Sequence, residues 1–147
     1  MRETADAFHL AIPAHDLDEA EHFYVTLLGC KLARRYPDRI TVDFFGDQVV
    51  CHLTEEPEGN SGEGAGSNGD QTDEEPQLYP RHFGVTFRSE VDFDALHELA
   101  VLRKIPFFRD VATRFEGRAE VHQSFVLRDP TDNLLEFKHY RNPRMMY

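Results

Sequence analysis

The chain has 147 residues, of which 40% are apolar and 29% charged, and its 27 acidic and 16 basic side chains give a formal charge of −11. This length suits one globular domain that folds without disulfides or a structural metal, so any metal would serve function. The acidic balance argues against nucleic acid and anionic membranes as partners, because both attract a surplus of Lys and Arg.

Targeting signals are also missing from the sequence. No apolar run reaches the roughly 18 residues that a membrane-spanning helix needs, and the first residues carry no apolar signal segment. The two cysteines, Cys30 and Cys51, are too few for a secreted disulfide framework. We therefore expect a cytoplasmic protein whose thiols are reduced.

The first 54 residues predict a strand, a helix and three further strands. An apolar run at 7–12 contains one polar residue, His9. Apolar residues then recur at helical spacing between Asp16, a capping residue, and Gly29, where a helix commonly ends. Strand patterns separated by turn signals follow at 30–36, 39–45 and 48–53.

Residues 55–78 interrupt this regular pattern. They hold eight acidic side chains, no Lys or Arg, and five of the nine glycines, so the rest of the chain is nearly balanced in charge. Such a composition predicts a linker or surface loop between two modules, with a lid over a cleft as the alternative. The glycines at 64–69 match a dinucleotide-binding pattern, but no strand precedes them and no helix follows, so we reject that function.

The second half, 79–147, repeats the order of the first. It predicts a strand at 81–87 that contains His82, a helix at 92–104, and strands at 107–115, 121–127 and 133–140. A βαβββ unit cannot cover both faces of its own sheet, so two such units are expected to pair. The sequence thus predicts an α+β fold in one domain, 1–147, with modules at 1–54 and 79–147.

Polar residues inside the apolar strands are candidate site residues. His9 and His82 lie in the first strand of each module, and His52 and Glu136 lie in the last. If the sheets curve around a shared cleft, these four side chains converge there. Two histidines and one carboxylate on one side of a metal are typical of non-heme iron(II), whereas a single buried histidine is more often just a hydrogen-bonded core residue.

The sequence resembles the vicinal oxygen chelate superfamily, which includes glyoxalase I, fosfomycin- and bleomycin-resistance proteins and extradiol dioxygenases. The segments that carry the resemblance are His9-Leu10-Ala11-Ile12, Asp16-Leu17, Phe23-Tyr24, Leu28-Gly29, Arg81-His82-Phe83-Gly84-Val85, Phe125-Val126-Leu127-Arg128-Asp129-Pro130 and Asn133-Leu134-Leu135-Glu136-Phe137. The resemblance is greatest to short, single-pair members described as extradiol-type dioxygenases. It implies two βαβββ modules in a curved, barrel-like mixed sheet around a cleft, with one divalent metal held by His9, His82 and Glu136.

Other residues near the expected cleft have open roles. His52 stands where glyoxalase I carries an acidic or amide ligand, so it is a fourth ligand, a base or a wall residue. Ring-cleaving enzymes use a histidine as acid and base, and His122 and His52 are the candidates for this catalytic role. On the strand at 121–127, either His122 and Ser124 or Gln123 and Phe125 face the cleft.

The resemblance implies a small-molecule enzyme. We expect an extradiol-type dioxygenase for a catechol-like substrate, with Fe(II) favoured and Mn, Ni or Zn as other possible metals. The first alternative is a lyase, isomerase or thiol transferase that uses the metal as a Lewis acid. The second is a metal-free binding protein whose cleft is lined by some of the 12 Phe and five Tyr residues. Dimers are frequent in such families, so we expect a homodimer.

Overall fold

The computed structural model describes residues 6–55, 76, 78 and 81–147; the rest of the acidic segment, including the glycines at 64–69, lies outside them. The first module comprises β1 (His9–Ala14), α1 (Leu17–Glu21), a π-helix (His22–Leu27), β2 (Lys31–Tyr36), β3 (Arg39–Phe44) and β4 (Asp47–Leu53). The second comprises β5 (Thr86–Phe87), α2 (Glu90–Leu102), β6 (Phe107–Arg114), β7 (His122–Arg128), β8 (Leu134–Tyr140) and a final 3-10 turn (Pro143–Met146). The predicted α+β class and the repeated element order are confirmed.

Each module forms its own four-stranded mixed sheet. The strand orders are β1-β4-β3-β2 and β5-β8-β7-β6, so the first strand of each module lies beside the last, in parallel. The remaining neighbours are antiparallel. None of the helices in the described ranges is long and apolar enough to cross a membrane.

The local structure departs from the predicted elements at two places. The first helix begins as expected, because the Asp16 carboxylate accepts hydrogen bonds from the backbone N–H groups of Asp18 and Glu19, but its second half is a π-helix. The predicted strand at 81–87 is regular only at Thr86–Phe87. Residues before it still bond to β8, since Phe83 accepts a hydrogen bond from the Glu136 N–H at 2.7 Å.

One hydrophobic core joins the two modules. It contains Ile12, Ala20, Val42, Cys51, Phe93, Phe125 and Phe137, which come from both helices and from one face of each sheet. At the β3–β4 turn, the Phe45 ring lies 5.9 Å from the Phe137 ring across the module boundary. Because these faces share a core, the expected barrel-like closure is not formed: in the described residues the two sheets remain separate.

The turn between β7 and β8 also ties the modules together. Asp129 is buried there and accepts a hydrogen bond from the Tyr24 hydroxyl at 2.8 Å, while the Asn133 side chain donates to the Pro13 carbonyl at 3.0 Å. Burial raises the pKa of Asp129, and hydrogen bonds from Asn133 and Tyr24 oppose that rise. Asp132 adopts a left-handed backbone with φ 66°, which Asp tolerates better than most residues.

The cysteines contribute packing. Cys30 and Cys51 are both buried as free thiols. Burial raises the pKa of each thiol to about 12, so both stay protonated at neutral pH, and protonated thiols are poor nucleophiles and poor metal ligands.

Candidate functional site

The side chains that carry chemistry lie on the sheet faces that point away from the shared core. We call these the ligand faces, because strand residues alternate between them and the core. On the first sheet the ligand face includes His9, Ala11, Pro13, Gln48, Val50 and His52. On the second sheet it includes His82, Gly84, Thr86, His122, Ser124, Val126, Glu136 and Lys138.

The structure brings His82 and Glu136 together. The Nε2 atom of His82 lies 3.2 Å from Oε2 of Glu136, whose side chain is only 6% exposed. The other ring nitrogen, Nδ1, lies 2.8 Å from the Leu78 carbonyl oxygen, so it is the protonated donor there. This hydrogen bond fixes the ring orientation and the tautomer, so that Nε2 points at the carboxylate. Histidines that bind metals are commonly held in the same way, by a hydrogen bond from the ring nitrogen that does not bind the metal.

A lysine lies beside this pair and supplies a positive charge. The Nζ atom of Lys138 lies 2.8 Å from the same Oε2 atom of Glu136. Neither nitrogen is aligned for a hydrogen bond, so within the described part of the chain this buried oxygen pairs by charge with the Lys138 ammonium group but accepts no hydrogen bond. A buried carboxylate oxygen in this state, beside an oriented imidazole, fits a divalent cation.

The predicted ligands from the first module do not join this pair within one chain. His9 is exposed, and its Nδ1 atom lies 2.5 Å from Oε1 of Gln48. His52 is also exposed and lies between Pro13 and Arg39 on neighbouring strands. Among the described residues, no three His, Cys, Asp or Glu side chains are grouped so that they could hold a metal ion.

The strand registers change which residues are equivalent in the two modules. His52 pairs with Pro13, four residues after His9, and Lys138 pairs with Thr86, four residues after His82. His52 is therefore the equivalent of Lys138 and not, as the sequence suggested, of Glu136. By the same register, the equivalent of Glu136 is Val50, which pairs with Ala11. The first module thus contributes an apolar side chain at the place of a second carboxylate.

The orientation of β7 is also decided. Ser124 pairs with Lys138, and His122 pairs with Tyr140, so His122 and Ser124 share the ligand face of Glu136. Phe125 lies in the core instead. His122 packs on Tyr140, with ring centroids 4.5 Å apart. It is nonetheless four residues from the partner of Glu136, or about 13 Å along the strand.

Sequence reasoning missed two residues at this site, Lys138 and Gly84. Lys138 was detectable, because a residue two positions after Glu136 in a strand must share its face. Gly84 needs the structure: a Cβ atom there would lie 1.8 Å from the backbone oxygen of Glu136. Glycine therefore lets the His82 segment approach β8 closely enough for the His82–Glu136 contact.

We expect Gly84→Ala to destabilise the protein by about 3 kcal/mol, because the added methyl group overlaps backbone atoms that only a shift of the strand can clear. The measurement is the free energy of unfolding by denaturant. The matched control is Ala11→Gly at the equivalent position of the first module, which should cost roughly 0.5–1 kcal/mol. Equal effects of the two changes would contradict the close approach.

Three of the cavities bounded by the described residues bear on the location of the site. The smallest of the three, about 210 Å³, is bounded by His82, Gly84, Thr86, Glu136 and Lys138 and so opens directly onto the charged pair. A cleft of about 740 Å³ reaches His82 from the side of β1. The third, about 780 Å³, lies between α1 and the β7–β8 turn and contains neither His82 nor Glu136. The His82–Glu136 pair thus borders the smallest of these cavities and not the largest.

Comparisons with known proteins identify the family. The family model for the Glyoxalase/Bleomycin resistance protein/Dioxygenase superfamily matches residues 7–137. A crystal structure from Alicyclobacillus acidocaldarius, described as a glyoxalase/bleomycin resistance protein/dioxygenase, is 58% identical, covers 100% of both chains and has a TM-score of 0.84. A search of curated proteins returned no match.

More distant structures share the fold alone. Lactoylglutathione lyase from Agrobacterium tumefaciens is 17% identical, with a TM-score of 0.61 and coverage of 94% of this chain and 96% of that one. The fosfomycin resistance protein FosX from Listeria monocytogenes is 12% identical, with a TM-score of 0.62 and coverage of 97% and 98%. With the family model matching almost the whole chain and a relative at 58% identity, this protein belongs to the Glyoxalase/Bleomycin resistance protein/Dioxygenase superfamily.

Proposed function

We propose that the protein is a metal-dependent enzyme, an extradiol-type dioxygenase that acts on a small catechol-like substrate. The observation that carries this proposal is the His82–Glu136 pair: a buried carboxylate lies beside an imidazole whose Nδ1 atom already donates a hydrogen bond to the Leu78 carbonyl. Members of the superfamily typically bind a divalent metal, and two histidines with one carboxylate favour Fe(II), with Mn, Ni or Zn as substitutes.

We infer that the third ligand, His9, comes from a second copy of the chain. The ligand faces of the two sheets point away from the shared core, so His9 and Glu136 of one chain do not meet. In the first sheet, His9, Ala11 and Pro13 are exposed along β1, which is an edge strand. Docking this face against the second sheet of another copy would supply His9 to His82 and Glu136, and two copies would form two sites. The proposed assembly is therefore a homodimer.

When bound, such a metal would chelate two adjacent oxygens of the substrate and leave a position for dioxygen. The residues of this chain have separate tasks around it. Glu136 and His82 provide one negative and one neutral donor, and the Leu78 carbonyl holds the His82 ring in place. We assign the acid–base role to His52, because it is equivalent in register to Lys138 and would face the site from the docked sheet. His122 is too far along β7 for this role.

Isomerase chemistry has less support. Proton shuttling between substrate carbons in glyoxalase I relies on two carboxylates at the metal, whereas Val50 occupies the position equivalent to Glu136. A metal-free binding protein would have no need of a buried carboxylate beside an oriented imidazole. Lyase or thiol transferase chemistry with the same metal remains the alternative because it needs no second carboxylate.

Oxygen consumption tests this proposal. The full chain, loaded with Fe(II) under argon, should consume oxygen when mixed with a panel of substituted catechols and yield ring-opened products that absorb in the near ultraviolet or visible range. Glu136→Gln is the matched control, because it keeps the shape of the side chain and removes the charge. Metal-loaded protein that consumes no oxygen with any catechol, yet converts a glutathione hemithioacetal, would favour the alternative.

A further inference from the structure

Lys138 is the remaining charged group in the cavity that opens onto the candidate metal pair. It lies on the ligand face two residues after Glu136, and its side chain is 28% exposed. Its neighbours in register are Thr86 and Ser124, which are uncharged. Among the described residues that bound the 210 Å³ cavity, Glu136 is the one carboxylate.

A metal at this site would change the charge balance. If the Glu136 carboxylate is committed to a divalent cation, the ammonium group of Lys138 loses the partner that lies 2.8 Å away. The metal, Glu136 and Lys138 together then carry a net charge of about +2, since neutral imidazoles add none. A partly buried site with this charge is stabilised by an anion.

We propose, building on the function proposed above, that Lys138 binds an anionic substituent of the substrate, so that the substrate class is a catechol-like diol that also carries a carboxylate. Lys138 faces the same cavity as the metal pair and is directly beside it, so a substituent next to the chelating oxygens is within its reach. A cavity of about 150 Å³ holds benzene in another protein, so about 210 Å³ suits a single ring with one small substituent.

The experiment compares binding of two kinds of probe to the full chain. Mn²⁺ is titrated first into wild type, Lys138→Met and Lys138→Arg. Catechol, 2,3-dihydroxybenzoate and 3,4-dihydroxybenzoate are then titrated into each Mn²⁺-loaded protein without oxygen, and dissociation constants are measured by calorimetry. Lys104→Met is the matched control, because Lys104 is exposed beyond the end of α2, and none of the residues bounding the cavity lies near it in sequence.

Wild type should bind one of the dihydroxybenzoates at least roughly tenfold more tightly than catechol, the usual effect of a charge-assisted hydrogen bond. In Lys138→Met this preference should fall to about one, while catechol binds as before and Mn²⁺ binds as tightly as in wild type or more so. Lys138→Arg and Lys104→Met should keep the preference.

Two outcomes would overturn the inference while leaving the proposed function intact. One is a wild-type protein that binds Mn²⁺ but binds neither dihydroxybenzoate more tightly than catechol. A wild-type protein that binds Mn²⁺ but none of the three compounds counts as the same outcome. The other is a preference that survives in Lys138→Met, or a loss of catechol affinity as large as the loss for the acid. Failure of wild type to bind Mn²⁺ at all would overturn the proposed function and this inference together.

Discussion

Replacing either proposed ligand, His82 or Glu136, should remove the metal. We expect wild-type protein purified without chelators to contain about one divalent ion per chain, and the variants His82→Ala and Glu136→Gln to contain almost none. Removing a residue that merely contacts a ligand lowers metal affinity about 10–100-fold, and removing the ligand itself should lower it further. The measurement is elemental analysis of the purified protein, followed by titration with Fe(II) or Mn²⁺. Unfolding curves should stay cooperative in both variants.

The chain offers a matched control for this experiment. His97 on α2 and Asp110 on β6 also form a histidine–carboxylate contact, with Nε2 and Oδ1 2.8 Å apart. Unlike Glu136, the Asp110 side chain is exposed. The His97 hydrogen bond lowers the pKa of Asp110. His97→Ala should keep its metal. Wild-type metal content in Glu136→Gln would contradict the assignment of Glu136 as a ligand.

Mixed dimers test the proposal that each site is built from two chains. Wild-type dimers are expected to hold two metal ions, and homodimers of His9→Ala or of Glu136→Gln almost none. A heterodimer of one His9→Ala chain and one Glu136→Gln chain should hold about one, because one of its two sites keeps His9 from one chain and His82 with Glu136 from the other. Co-expression with two affinity tags isolates the heterodimer, and elemental analysis gives its metal content.

The reciprocal arrangement is the control. A wild-type chain paired with a chain that carries both substitutions has one altered residue in each shared site, so it should hold almost no metal. If each site lay within a single chain, the two results would be reversed: the first heterodimer would be empty and the second would hold one ion. A single measured pattern therefore decides between a shared and an internal site.

The element order was predictable because it depends on local patterns. Helical spacing of apolar residues and the Asp16 cap predicted α1, and alternation with turn residues predicted β2 to β4 and β6 to β8. The π-helix at His22–Leu27 was not predictable, because the same apolar residues suit an α-helix. The irregular stretch before Thr86–Phe87 depends on the approach of Gly84 to Glu136, which is a contact between distant residues.

The candidate site was predictable as residue types but not as an arrangement. The sequence identified His82 and Glu136 and left open which face of β7 is exposed to the site, which pairing with β8 decided in favour of His122 and Ser124. It equated His52 with Glu136, whereas the registers place Val50 there. A shift of two residues keeps a side chain on the same face, so the alternation of polar and apolar residues cannot detect it.

The sequence by itself determined the α+β class, the repeat of two βαβββ modules, the family and the histidines and carboxylate that could serve a metal. These properties follow from periodicity, turn chemistry and residue type, which act over short distances along the chain. Only the tertiary structure decided that the two modules share a core through the opposite faces of their sheets, so that the barrel does not close and His9 is kept apart from Glu136. The choice of faces depends on which distant apolar surfaces are buried together, and no local pattern carries that information.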